Sequence, residues 1–262
     1  MKTRHRLKLA FVSPVFLFPN DAGGKIRTTN ILRGMKGGTF DITLLSPATA
    51  AQSTQFAPEL QGVCDHFVPW QPRPVKRRWM RSLDLLDELP VNVVADRTAH
   101  GAQAVLQVAQ REDIDVMVFD FVHSAVLLPE RQQSATVCFT HNVEAEIFAR
   151  HAKVAGDALR RRVWESQHRK MAGFERRALS RFDKVIAVSE RDAQRFTESY
   201  GLQDVESIPT GVDLDFFAWQ APPPVGGDMA PTVLFTGSMD WAANVDGLKD
   251  YIFKPCKERS SL

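Results

Sequence analysis

Short apolar runs alternate along the chain with longer stretches of helical periodicity, the order expected of a parallel sheet whose strands are joined by crossover helices. Leu7–Val12 predicts a first strand and Phe40–Leu45 a second, with a Gly23-Gly24 loop leading into a helix near Thr28–Met35. An irregular, proline-containing stretch follows, then a helix over Ala99–Gln110. Asp115–Asp120 and Ala135–Thr140 carry strong strand patterns, and a long basic helical region runs from about Val143 to Phe182. Lys184–Val188 predicts another strand, opening into a helix that Ser189 caps with Asp192 three residues on. Val205–Ile208 is a last short strand.

The pattern then changes. Ala218–Pro231 holds Pro222, Pro223, Pro224 and Pro231 with Gly226 and Gly227, which is linker chemistry. Thr232–Thr236 starts one more strand, and Gly237 breaks it. What remains amounts to one strand-turn-helix unit, short of a domain. The predicted organisation is a domain over 1–217, a linker over 218–231, and the truncated start of a second domain over 232–262.

Composition narrows the class. Apolar residues make up 44% and charged residues 24% of 262, which excludes a disordered chain, a collagen-like repeat and a disulfide-stapled miniprotein. The formal charge of +2 implies no global nucleic-acid field, and no nucleic-acid partner is expected. Three scattered cysteines suit neither a disulfide framework nor a zinc site and fit a reducing compartment. Lys2, Arg4, Arg6 and Lys8 ahead of Leu9–Phe18 resemble a signal peptide. Pro14 and the missing small-x-small cleavage site favour a buried first strand and a cytoplasmic chain instead.

Charge is uneven. Arg150 to Phe182 holds ten Lys/Arg against Asp157, Glu165 and Glu175, a local +7, and Arg73, Lys76, Arg77, Arg78 and Arg81 form an acid-free run. Two readings stand: a solvated helix face, or peripheral docking on anionic membrane through 150–182, with Trp164 and Phe174 interleaved and Trp70 and Trp79 flanking the other run.

Candidate chemistry sits at strand ends, where open parallel sheets bind ligands. Gly23-Gly24 lets backbone approach an anion at a helix N-terminus, and Arg27 adds a charged donor. This is neither a G-x-G-x-x-G fingerprint nor a Walker A loop, so a plain strand-to-helix turn is the alternative. His141 in Thr140-His141-Asn142 can donate to a sugar hydroxyl or phosphate or act as a base, or else cap the next helix. Glu144 and Glu146 are first-turn residues favoured by the helix dipole.

Taken in order, Gly23-Gly24-x-x-Arg27, Thr140-His141-Asn142, Asp183–Glu190, Ile208-Pro-Thr-Gly-Val-Asp213 and Phe235-Thr-Gly-Ser-Met-Asp-Trp241 resemble a retaining glycosyltransferase of family 4. The similarity is to bacterial exopolysaccharide-associated sugar transferases of the GT-B fold, over roughly Leu7 to Leu248. The resemblance implies a nucleotide-sugar donor, a glycan or lipid-linked acceptor, and no metal or other cofactor. By position it implies that Gly23, Gly24 and Arg27 face the donor diphosphate. It places His141 at the transferred sugar or acceptor as the catalytic candidate, Asn142 at the acceptor, and Gly237 and Ser238 against the donor.

The family's second domain supplies the remaining diphosphate ligands and a Glu-x7-Glu segment. From about Lys249 the chain departs from that pattern and reads as a frameshifted or prematurely stopped frame. Little or no transfer is therefore expected of the chain alone. The rival expectations are a non-catalytic acceptor-binding half that needs a partner chain, and a non-functional remnant.

Overall fold

The computed structural model describes residues 6–74, 82–212, 214–215, 217–219, 234–237, 239 and 242–253. The chain divides into two units, Met1–Gly211 and Val212–Leu262.

The first unit is built on one seven-stranded sheet. Its strands are β1 (Leu7–Val12), β2 (Phe40–Pro47), β3 (His66–Trp70), β4 (Val116–Asp120), β5 (Ala135–Phe139), β6 (Lys184–Ala187) and β7 (Val205–Ser207). All neighbours pair in parallel, in the order β3-β2-β1-β4-β5-β6-β7. The fold is α/β and Rossmann-like, as the alternation predicts.

Both faces of the sheet are covered, and β1 shows how. Leu9 and Phe11 join one core with Leu32, Ile42 and Leu44, while Ala10 and Val12 join another with Val105, Val108 and Phe119. Leu32 belongs to α1 (Gly23–Met35), and Val105 and Val108 to α5 (Ala99–Ala109). A strand buried on both sides reads as a continuous apolar run, which is why Leu9–Val12 shows no alternation. Two short helices, α2 (Ala50–Gln55) and α3 (Ala57–Gln61), connect β2 to β3, and α4 (Val91–Asp96) precedes α5. A third core lies beyond β5 and β6, where α6 (Glu144–Lys153), α7 (Ala158–Leu179) and α8 (Glu190–Tyr200) bury Phe148, Met171, Leu179 and Phe196.

Three elements differ from expectation. β3 falls inside the stretch read as irregular because Pro69 breaks its pattern; a proline is tolerated there because β3 is the sheet edge. α1 begins at Gly23, five residues before the predicted start, with Ala22 as an N-cap that makes no side-chain bond. The basic helical region is two helices, divided where Asp157 caps α7 by accepting from the Arg160 N–H at 2.8 Å. Ser189 caps α8 as predicted, accepting from the Asp192 N–H.

In the second unit, α9 (Ala242–Phe253) runs past Lys249, and Leu234–Thr236 are not in a strand. Thr232 and Val233 lie outside the described residues.

Candidate functional site

β1 pairs with β2 on one side and β4 on the other, and the chain winds outward in both directions. The crevice outside the carboxyl ends of β1 and β4 is the switch point where such sheets bind ligands.

Asp120, the last residue of β4, is fully buried there. Its Oδ2 accepts from the Thr28 hydroxyl of α1 at 2.8 Å, and its Oδ1 is 2.6 Å from His141 Nε2. A carboxylate oxygen can only accept, so Nε2 carries the proton of this bond. The His141 ring lies flat on Phe121, with centroids 3.7 Å apart and planes 7° apart, and edge-on to Phe139 at 5.2 Å.

Phe121 adopts φ 65° and ψ 140°, an unfavourable backbone for a bulky residue. Its N–H donates to the Phe139 carbonyl at 2.8 Å, and its carbonyl accepts from the Ser124 hydroxyl at 2.8 Å, so both flanks of the strained residue are held. On the other side is Gly24, where an added Cβ would lie 2.8 Å from Phe121 Cζ. Gly24 is thus required by an aromatic ring. Gly23 faces open space, so backbone there is accessible.

Arg27 is half-buried. Its guanidinium sits 4.6 Å over the Phe139 ring and donates to the Ile208 carbonyl at 3.2 Å. Burial lowers its pKa and the Asp120 charge offsets this, leaving a cation beside the crevice.

His141 does not cap the following helix. The first N–H groups of α6 donate to Glu175 of α7, from Glu144 at 2.9 Å and Ala145 at 3.3 Å, and Tyr200 of α8 donates to the same carboxyl at 2.7 Å. Burial pushes Glu175 up to about 7, partly opposed by those donors. Burial also raises Glu144, which the nearby His123 and a hydrogen bond from Asn142 partly offset. Asn142 itself is exposed.

The crevice thus gathers five groups: a buried carboxylate, a hydroxyl, an oriented imidazole, a guanidinium and open glycine backbone. Together they can neutralise an anion at one end and exchange a hydrogen bond with a hydroxyl at the other. Among the described residues no group of three or more His, Cys, Asp or Glu side chains is placed to hold a metal ion.

The family model for Glycosyltransferase Family 4 matches residues 23–216. The chain belongs to glycosyltransferase family 4. No curated protein matches it. Sucrose-phosphate synthase from Thermosynechococcus elongatus superposes with TM-score 0.54 at 14% identity, covering 80% of this chain and 49% of the other. A glycosyltransferase from Rickettsia africae gives 0.43 at 13%, covering 81% and 45%, and apo UGT2 of Phytolacca americana gives 0.47 at 11%, covering 81% and 54%. The chain spans about half the length of these structures.

In this family 4 chain, Gly24, Arg27 and His141 converge on the crevice, with Gly23 and Asn142 at its exposed margins. Gly237 packs within the second unit, where a Cβ would lie 2.8 Å from Phe235 and 2.9 Å from Asn244. Ser238 lies outside the described residues. Residue order alone missed Thr28, Asp120 and Phe121, and a second pair in which His123 Nδ1 bonds Asp96, with His123 5.1 Å from the Phe121 ring. A carboxylate ending an apolar strand was the one available signal, at Asp120.

The membrane reading changes in detail. Phe174 is buried, Trp164 stacks on His151 at 4.7 Å, and Trp70 is buried, so these aromatics serve the core. Trp79 lies outside the described residues. Val154 (68% exposed) and Leu159 (74%) instead form an apolar tip between α6 and α7, beside exposed Lys153, Arg160, Arg161 and Arg162. No described helix is long and apolar enough to cross a membrane.

Proposed function

We propose that this chain is the acceptor side of a retaining GT-B enzyme that transfers a sugar from a nucleotide-sugar to a glycan or lipid-linked acceptor in exopolysaccharide synthesis. The donor diphosphate lies on the Gly23-Gly24 backbone and Arg27, with Gly237 and Ser238 on the donor side. His141 meets the transferred sugar or the acceptor hydroxyl through Nδ1, and Asn142 the acceptor. The observation that supports this most is the Thr28–Asp120–His141 chain at the switch point, which fixes one tautomer next to a cation and open backbone. No metal enters the reaction as proposed. The enzyme works at the cytoplasmic face of the membrane, where the Val154/Leu159 tip and its basic flank dock on anionic lipid.

The donor domain supplies most of the charge that stabilises the leaving diphosphate. Residues 1–217 without a donor domain therefore transfer little or no sugar. The test joins residues 1–217 to the donor-binding domain of a family 4 enzyme and follows the anomeric configuration of the product by NMR. Expected are transfer with retention and a loss of about 100-fold in His141→Ala. Inverted product, or an unaffected His141→Ala, overturns the reading. Liposome sedimentation tests the membrane contact: binding to acidic vesicles that is lost in salt is expected, and binding unchanged by salt or by lipid charge refutes it.

A further inference from the structure

Beside the crevice, two adjoining clefts open at the carboxyl ends of β2 and β3 and the start of α5. The first, about 190 Å³, has apolar walls from Pro14, Pro47, Trp70 and Leu127 and one carboxylate, Asp96. The second, about 320 Å³, is lined by Arg73, Arg97 and His100 among others, and shares Pro72, Arg73 and Thr98 with the first.

The polar groups are held in place from outside the clefts. Asp96 is bonded to His123 Nδ1, and the two side chains are only 15% and 16% exposed. Burial opposes charge on His123, but the bond and charge of Asp96 outweigh it and raise its pKa. Arg97 is paired with Asp87 at 2.6 Å, and Arg73 lies 3.9 Å from Asp84 and donates to the Val94 carbonyl. Neither Asp84 nor Asp87 lines either cleft. The result is a polarised pair of cavities. One offers an acceptor for hydroxyls against apolar walls; the other offers two forked guanidiniums and an imidazole, with no carboxylate among the described residues that line it. Guanidinium forks match phosphate oxygens. Small-ligand sites run to roughly 300–1,000 Å³; the second cleft is at the low end of that range and the first is smaller, which suits one ring with its substituent.

We propose that these clefts bind a phosphorylated sugar as acceptor, its ring hydroxyls on Asp96 and its phosphate on Arg73 and Arg97. This rests on the reading of the unit as the acceptor side. It names the class of acceptor and makes Asp96, Arg73 and Arg97 the residues that select it. The phosphate can belong to a free sugar phosphate or to a lipid phosphate.

The test is calorimetric titration of the whole 262-residue chain with glucose 1-phosphate, glucose and inorganic phosphate. Glucose 1-phosphate is expected to bind at least about tenfold more tightly than either fragment. Arg97→Ala removes that advantage, and Arg73→Lys, which keeps the charge but loses the fork, weakens it several-fold. Asp96→Asn weakens glucose 1-phosphate and leaves inorganic phosphate unchanged, after melting curves show the variant is folded. Equal affinity for inorganic phosphate and glucose 1-phosphate, or no effect of Arg97→Ala, overturns the proposal. A prenyl-linked glucose phosphate in micelles separates the sources: tighter binding than the free ester assigns the lipid-linked acceptor, equal or weaker binding the free one. This titration needs no donor domain. Binding with no transfer in the fused enzyme therefore counts against the transferase reading alone, and transfer without binding here counts against the acceptor class alone.

Discussion

Asp120 and His141 stand at the ends of neighbouring strands and meet at 2.6 Å, the carboxylate fully buried and the imidazole 7% exposed. The pair orients the ring while Thr28 occupies the other carboxylate oxygen, so one side chain ties α1, β4 and the loop after β5 together. Asp120→Ala leaves two buried groups without a partner and is expected to cost about 1–3 kcal/mol. Long-range ¹⁵N spectra should show His141 as a single Nε2–H tautomer in the wild type and as a mixture in the variant. An unchanged tautomer would refute the positioning role.

Gly24→Ala sets two effects against each other. Alanine in a helix gains at most about 1 kcal/mol over glycine. The new Cβ would stand 2.8 Å from Phe121 Cζ, and that ring cannot swing away because it is stacked on His141. Overpacking of this kind costs about 1–3 kcal/mol, so a net loss is expected, read as a lower Tm and shifted His141 resonances. Gly23→Ala, which meets nothing within 4 Å, should not destabilise the chain.

Glu175 gives the stability of the chain a pH dependence. Burial raises its pKa to about 7 in the folded protein against an ordinary 4.5, so the native state binds the proton more tightly than the unfolded chain. Its contribution to stability is present below about 4.5 and declines as pH rises toward 7, by about 2–3 kcal/mol. Urea midpoints measured from pH 4.5 to 7 should fall with pH in the wild type. In Glu175→Gln the slope should flatten.

Asp65 works in the opposite sense. Burial pushes its carboxyl up, but the Ile42 N–H, Lys36 at 2.5 Å and Arg6 at 3.0 Å outweigh it and bring the pKa to about 2. A depressed carboxylate stabilises above its unfolded value near 3.8 and loses that contribution as pH falls toward 2. Asp65→Asn is expected to cost about 1–2 kcal/mol at neutral pH and nothing at pH 2, measured by denaturant unfolding.

Much of the fold was legible because β1, β2, β4 and β5 are covered on both faces over most of their length and therefore read as largely apolar runs. β3 was hidden by Pro69, which only its edge position permits. At the site, Gly24, Arg27 and His141 were legible because each follows a strand end. Their partners were not. Thr28 and Asp120 lie 92 residues apart, and the strain at Phe121 leaves no trace in residue order because any non-glycine residue would look ordinary there. The helix cap behind His141 was equally hidden, since Glu175 supplies it from near the C-terminal end of another helix.

The central place of β1 also sets a timetable for synthesis. Leu9 pairs with Ile42 on one side but with Val116 on the other. At about 5–20 residues per second, the second partner leaves the ribosome roughly 5–20 s after β1. For that interval one edge of a strand apolar on both faces has nothing to pair with, the condition under which nascent chains aggregate. Yield of this protein in a cell should therefore respond to translation speed and to holding chaperones more strongly than its melting temperature would suggest.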